Sequence, residues 1–215
     1  MVLDYIFYRQ DICHVCMDTI TEDYICSDCL DKLDFIDGDF ELTKGRVYYP
    51  LFYNNMIKSI IKKFKFEKMT YLVKPLGLIL YEYVKTKPEL MEVDYLTYIS
   101  MDPISEFDRG YNQAELLCRE LAKYMGKEVI LLVKKIKKTK EQNKLDIGQR
   151  KKNLRQDNFK PVSGLKIDGK KILLLDDLVT TGATLEVVTS SIEKEYNLDL
   201  RYLTLSSSRI GEEDD

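Results

Sequence analysis

The sequence predicts an α/β protein in which a parallel sheet is covered by helices on both faces and preceded by a small cysteine-bearing unit. Three observations predict it. Apolar runs of strand length alternate with helical patterns from about residue 54 onward, which is the signature of β–α–β units. The run Ile172-Leu173-Leu174-Leu175 reads as a strand buried on both faces, and it passes within a few residues into a helical pattern. Four of the five cysteines fall before residue 30, as two C-x-x-C pairs. The expected division is residues 1–45 for the cysteine unit and 46–215 for the sheet domain.

The elements follow in order. From Asn54 to Phe66 the residues Met56, Ile57, Ile60, Ile61 and Phe64 fall on one helical face. A second helix is expected from Tyr71 to Tyr83, with Pro75 in its first turn or at a kink. Tyr95 to Met101 reads as a strand. Asn112 to Met125 reads as an amphipathic helix with Ala114, Leu117, Leu121 and Tyr124 inward, and Glu128 to Val133 as another strand. Lys134 to Asp157 is polar and lacks an apolar stripe. Lys171 to Leu175 is a strand, Ala183 to Tyr196 a helix, and Leu200 to Leu205 a last strand. In such sheets the ligand sits beyond the carboxyl ends of the strands.

Composition excludes several classes. Of 215 residues, 45% are hydrophobic and 32% charged, the balance of a soluble globular protein. No apolar run approaches the ~20 residues of a membrane span. The start, Met1-Val2-Leu3-Asp4-Tyr5, has no basic region before an apolar core, so a cytoplasmic location is expected. The net charge of -3 conceals an uneven distribution. Lys134 to Arg155 carries ten Lys or Arg against Glu141 and Asp146, and Lys58, Lys62, Lys63, Lys65 and Lys68 make another basic segment. Glu212, Glu213, Asp214 and Asp215 form an acidic tail.

Cys13-His14-Val15-Cys16 and Cys26-Ser27-Asp28-Cys29 are separated by nine residues. Two such knuckles supply the four thiolates of a tetrahedral, closed and therefore structural zinc site. A disulfide framework is the rival reading, and it suits a cytosolic chain poorly. His14 is the single histidine, which removes Ser-His-Asp and Cys-His schemes and leaves it a surface position or one behind the cysteines. Cys118, inside a helical pattern, reads as a small core residue.

Asp176-Asp177-Leu178-Val179-Thr180-Thr181-Gly182-Ala183-Thr184 links the buried strand to its helix. Backbone N–H groups at such a turn, with the positive end of the helix dipole, suit a phosphate monoester. Thr180, Thr181 and Thr184 add hydroxyls, and Gly182 permits close approach. Asp176 and Asp177 repel phosphate, so they suit ribose hydroxyls, directly or through hydrated magnesium. The bland alternative is a solvated Asp pair beside a Thr helix cap. Upstream, Arg109-Gly110 offers a cationic fork just before a helix, as a pyrophosphate requires.

This segment resembles the phosphoribosyl pyrophosphate (PRPP) motif of type I phosphoribosyltransferases. In order, the chain carries the two knuckles, Lys62-Lys63-Phe64-Lys65-Phe66, and Arg109-Gly110-Tyr111-Asn112-Gln113. Then come Gln142, Leu145, Arg150, Asn153 and Phe159, and last the PRPP motif. That succession resembles the ComF family, linked to natural competence, which carries a phosphoribosyltransferase domain behind a zinc ribbon. The resemblance implies that residues 176–184 hold the ribose phosphate with magnesium, with Arg109 and Gly110 on the pyrophosphate side. It also implies a loop at Gln142–Asn153 over the site, with Lys138 or Lys140 closing on the leaving group. Asp176, Asp177 and Arg109 would then be the catalytic residues of phosphoribosyl transfer to a nitrogen nucleophile. A non-catalytic PRPP sensor or single-stranded DNA-binding module, working with competence and DNA-uptake proteins, is the alternative. Related enzymes acting on 6-oxopurines carry an aspartate base where Thr180 stands, so hypoxanthine or guanine salvage is not expected.

Overall fold

In the computed structural model the described residues are 12–21, 24–136 and 158–209. The knuckle region contains one short helix, α1 (Ser27–Leu30). The strands β1 (Phe35–Leu42) and β2 (Gly45–Phe52) form an antiparallel hairpin. Helix α2 (Asn55–Phe66) follows, with the Asn54 side chain accepting from Ile57 N at its start. A 3-10 turn, Thr70–Leu72, leads into α3 (Val73–Lys85). Pro75 sits in the first turn of α3, where its missing N–H costs no intrahelical bond. A single turn, α4 (Pro88–Met91), precedes β3 (Tyr95–Tyr98).

Then come α5 (Pro103–Arg109), α6 (Gln113–Met125), β4 (Glu128–Val129) and β5 (Val133–Lys135). After residues 137–157 the chain forms β6 (Phe159–Pro161), β7 (Lys171–Val179), α7 (Ala183–Ile192) and β8 (Asp199–Ser207). The main sheet has the order β1-β2-β8-β7-β3-β4, parallel throughout except for the β1–β2 hairpin, and β5 and β6 pair separately and antiparallel.

The pleat sorts the apolar strand residues between two cores. Leu173, Leu175, Leu203 and Leu205 pack with Ile57, Phe64, Leu76 and Leu117 from α2, α3 and α6. Ile172, Leu174 and Tyr202 pack with Leu185, Val188 and Ile192 of α7, and with Val133 and Phe159 of the small sheet. This is the expected α/β architecture, a mostly parallel sheet with helices on both faces. The knuckle residues Cys13, Cys26, Cys29 and Leu33 share the first core with Leu51 and Ile57. The boundary expected near residue 45 falls at the turn between β1 and β2.

Several elements differ from expectation. Tyr124 is 39% exposed and stacks on Tyr81 of α3 at 5.3 Å. The 3.6-residue period carries the buried stripe of α6 from Leu121 to Met125 instead. The strand expected over 128–133 is two strands in two sheets, because the chain leaves β3 after Val129 and pairs with β6 from Val133. Strand β7 runs on through the Asp pair to Val179, since β8 offers ladder partners as far as Ser207. The positions Lys138, Lys140, Gln142, Leu145, Arg150 and Asn153 and the acidic tail lie outside the described residues.

Candidate functional site

The crossover from β3 leads outward to β4, whereas that from β7 leads to β8 on the opposite side. The gap between the carboxyl ends of β3 and β7 is therefore the sheet's topological switch point, where open α/β sheets receive ligands. Pairing of β7 with β3 ends at Tyr98–Leu175, while pairing with β8 continues to Ser207. Asp176 and Asp177 thus stand just past the last β3 partner, on the lip of that gap.

Strand alternation sends the two carboxylates to opposite faces. Asp177 continues the Leu173–Leu175 row toward α2, where Lys65 Nζ lies 2.5 Å from its Oδ2. Asp176 continues the Ile172–Leu174 row toward the small sheet, and its Oδ1 accepts from Asp177 N at 2.9 Å. Burial raises the Asp176 carboxyl to about 7; the neighbouring Asp177 charge pushes the same way and Lys65 opposes it. Burial lowers the Lys135 ammonium of β5 below its ordinary value, and the nearby charges of Asp102 and Asp176 only partly oppose that. Each carboxylate thus has a lysine on its own side of the sheet.

The turn after β7 is shaped for close approach. Gly182 has φ 80°, a left-handed conformation that favours glycine, and a Cβ there would come 2.4 Å from Leu42 Cδ2 and make that side chain shift. Glu186 N donates to Gly182 O, and the N–H groups of the three preceding residues have no intrahelical acceptor. Thr181 Oγ1 accepts from Ala183 N at 3.4 Å. Thr180 and Thr181 are exposed, and Thr184 is half-buried. Leu178, Val179 and Ala183 complete the segment. This end of α7 can take an anion.

On the β3 side the chain passes into the short helix α5. Asp102 caps α5 by accepting from Ser105 N at 3.0 Å, Pro103 opens it and Gly110 closes it at φ 88°. Gly110 N donates to Glu106 O at 2.7 Å, so that amide is already used. The Arg109 guanidinium lies over the Phe66 ring, 5.1 Å from its centroid. Tyr111 hydroxyl donates to Phe64 O in a short bond. Asn112 caps α6 through Oδ1, and its Nδ2 ties back to Ile99 O at the end of β3.

The four knuckle sulfurs lie within 4.8 Å of one another, with Cys16 and Cys26 Sγ 4.0 Å apart. A tetrahedron with bonds of about 2.3 Å has sulfur–sulfur edges of about 3.8 Å, so this set fits a zinc ribbon. All four cysteines are free thiols. Backbone N–H groups of Thr19 and Asp18 lead in drawing the Cys16 thiol down to about 6, which favours the ligating thiolate. The turn needs Met17 at φ 60°. His14 is buried, its ring 4.4 Å from that of Tyr71, so it stands behind the cysteines. Lys63 Nζ donates to Val15 O at 2.6 Å, fastening the first knuckle to α2. Cys118 is fully buried, and burial pushes its thiol up.

Lys65, Lys135 and Asp102 were not assigned to the site by sequence reasoning. Their signals were present: Lys65 follows Ile61 by four residues on the inward edge of α2, and Lys135 shares the strand phase of buried Val133. Asp102-Pro103 with Gly110 is a helix signature. A cavity of about 930 Å³ lies elsewhere, lined by Tyr24, Ile25, Phe35, Leu78, Tyr83 and Tyr124 among others. It shares no lining residue with the Asp pair. No helix among the described residues is long and apolar enough to cross a membrane.

No protein-family model matches the chain. Competence protein ComFC of Bacillus subtilis is 30% identical over 179 residues, which cover 81% of this chain and 68% of that protein. Competence protein F of Haemophilus influenzae is 28% identical over 146 residues, 66% of this chain and 64% of its own length. The chain thus spans less than two thirds of that relative. Among solved structures, phosphoribosylpyrophosphate synthetase from Mycobacterium smegmatis aligns with a TM-score of 0.38 at 14% identity, covering 61% of this chain and 33% of that one.

Proposed function

This chain belongs to the ComF family of competence proteins, and from that premise we propose that it binds PRPP with magnesium and serves DNA uptake in the cytoplasm. The observation that carries this reading is the Asp176–Asp177 pair at the end of β7, leading through Thr180–Gly182 into the amino end of α7 at the sheet's switch point. In this reading the turn receives the 5-phosphate, Asp176 and Asp177 the ribose diol or its metal, and Arg109 the pyrophosphate. Magnesium would neutralise pyrophosphate charge, and the two carboxylates are the residues to hold it. The chain's own residues orient the sugar and stabilise the departing anion, which is what transfer to a nitrogen nucleophile demands. Zinc in the four-cysteine knuckle is structural, since no coordination position stays open.

A second reading is a module that grips single-stranded DNA without turnover, supported by the exposed Lys58, Lys62 and Lys68 on and after α2. Partners among DNA-uptake proteins accompany either reading. Titration with PRPP and magnesium, paired with a pyrophosphate-release screen over nucleobases, tests both. Binding with release supports the transferase, and binding without release supports the sensor. Unchanged PRPP binding in Asp176→Asn and in Asp177→Asn contradicts the assigned site.

A further inference from the structure

The last turn of α2 connects parts of the site that the strand-to-helix motif does not explain. Three consecutive residues reach three different partners. Phe64 packs in the core at 0% exposure and its carbonyl accepts from Tyr111 hydroxyl. Lys65 pairs with Asp177 at 2.5 Å. Phe66 supports the Arg109 guanidinium at 5.1 Å. Immediately before them, Lys63 is fixed to the knuckle through Val15 O. The ammonium of Lys65 therefore reaches Asp177 from a helix end held at several points, and the next residue of that helix carries Arg109 on its ring.

The Lys65–Asp177 pair is largely screened from water, with side chains 21% and 11% exposed. A bound ribose diol or hydrated cation would need the same carboxylate oxygens. An ammonium so placed must leave Asp177 when the ligand arrives, and a displaced charge in a partly buried cleft requires a new counter-ion. The flexible stem of lysine allows the movement, whereas the backbone beneath it is fixed. In the PRPP reading the diol lies at the Asp pair and the C1 pyrophosphate at Arg109, which rests on Phe66, the residue after Lys65.

From this geometry we infer that Lys65 is a ligand-exchanged counter-ion: it neutralises Asp177 in the empty site and transfers to the C1 pyrophosphate when PRPP binds. The inference rests on the PRPP reading above and adds a residue that discriminates PRPP from ribose 5-phosphate. Lys65 favours the ligand that brings a pyrophosphate and opposes the one that brings only a diol.

The test is calorimetric titration of wild type and Lys65→Met with PRPP and with ribose 5-phosphate, each with magnesium. Loss of a charge-assisted hydrogen bond predicts PRPP affinity falling about tenfold or more in Lys65→Met. Ribose 5-phosphate affinity is expected to stay equal or rise, so the preference for PRPP collapses by about tenfold or more. The double variant Lys65→Met/Asp177→Asn removes the pair without stranding a charge, and the preference is expected to stay collapsed in it. Equal loss for both ligands in Lys65→Met, or a rise for both, overturns the inference. Wild type binding neither ligand overturns the PRPP reading and the inference with it, an outcome distinct from those two.

Discussion

Ligand binding at the Asp pair should release a proton below neutral pH, and the source should be Asp176. Burial, then the charge of Asp177, holds that carboxyl at about 7 in the folded chain, against about 3.9 when unfolded. The folded state therefore binds the proton more tightly than the unfolded state. The contribution of Asp176 to stability is greatest at low pH and declines as pH rises from about 4 to about 7. A diol or a magnesium ion needs the ionised form. At pH 6 only about a tenth of the sites are ionised and at pH 5 about a hundredth, so affinity should fall about tenfold and about hundredfold relative to pH 8. PRPP titrates in this range too, so affinity alone is ambiguous. Calorimetry at pH 6.5 in buffers of different ionisation heat separates the sources. About three-quarters of a proton should be released per site by Asp176 in wild type and none by that position in Asp176→Asn. Equal proton release by the two proteins would refute the argument.

Other outcomes follow from the same geometry. Gly182→Ala should cost about 1–2 kcal/mol for the left-handed backbone alone. Because the Cβ would also meet Leu42 Cδ2 at 2.4 Å, adding Leu42→Ala should remove the steric share and leave the backbone share, as read from denaturant midpoints. Elemental analysis should find one zinc per chain, and Cys26→Ser should lose it together with folding energy on the order of 10 kcal/mol. Because Cys26 shares a core with Ile57 and Phe64, melting of that variant should involve residues well beyond the knuckle; protein purified without chelators and free of metal would end the claim. Single-stranded DNA binding should weaken with salt, and Lys58→Gln/Lys62→Gln should reduce the log–log slope by about 1.4 if both lysines touch phosphates. A salt-independent affinity would exclude that contact.

The alternation of apolar periods made the sheet and its covering helices legible in the sequence, and the repeated C-x-x-C spacing made the knuckle legible. Less visible was anything that depended on two distant segments meeting. Strand β2 buries Val47, Tyr49 and Leu51 on one face and Pro50 as well, so its alternation is interrupted, and the acidic first strand of the hairpin, Asp37-Gly38-Asp39, masks the pattern further. The separation of Asp176 from Asp177 follows from strand alternation once β7 is known to continue past Leu175, but that continuation depends on β8. Lys65 was visible as one charge among several in a basic helix. Only the packing of α2 against the Leu173–Leu175 face brings it to Asp177. Arg109 is beside Phe66 for the same reason, because α5 and α2 meet over the carboxyl end of the sheet.

The central claim is that the β7–α7 turn and its carboxylate pair form a PRPP site. The most direct measurement is calorimetric titration of the wild-type chain with PRPP in the presence of magnesium at pH 8, where Asp176 is mostly ionised, alongside Asp177→Asn. Saturable binding of one PRPP per chain, weakened about tenfold or more by Asp177→Asn, is the predicted result. No heat of binding in wild type, or equal affinity in the two proteins, would contradict it.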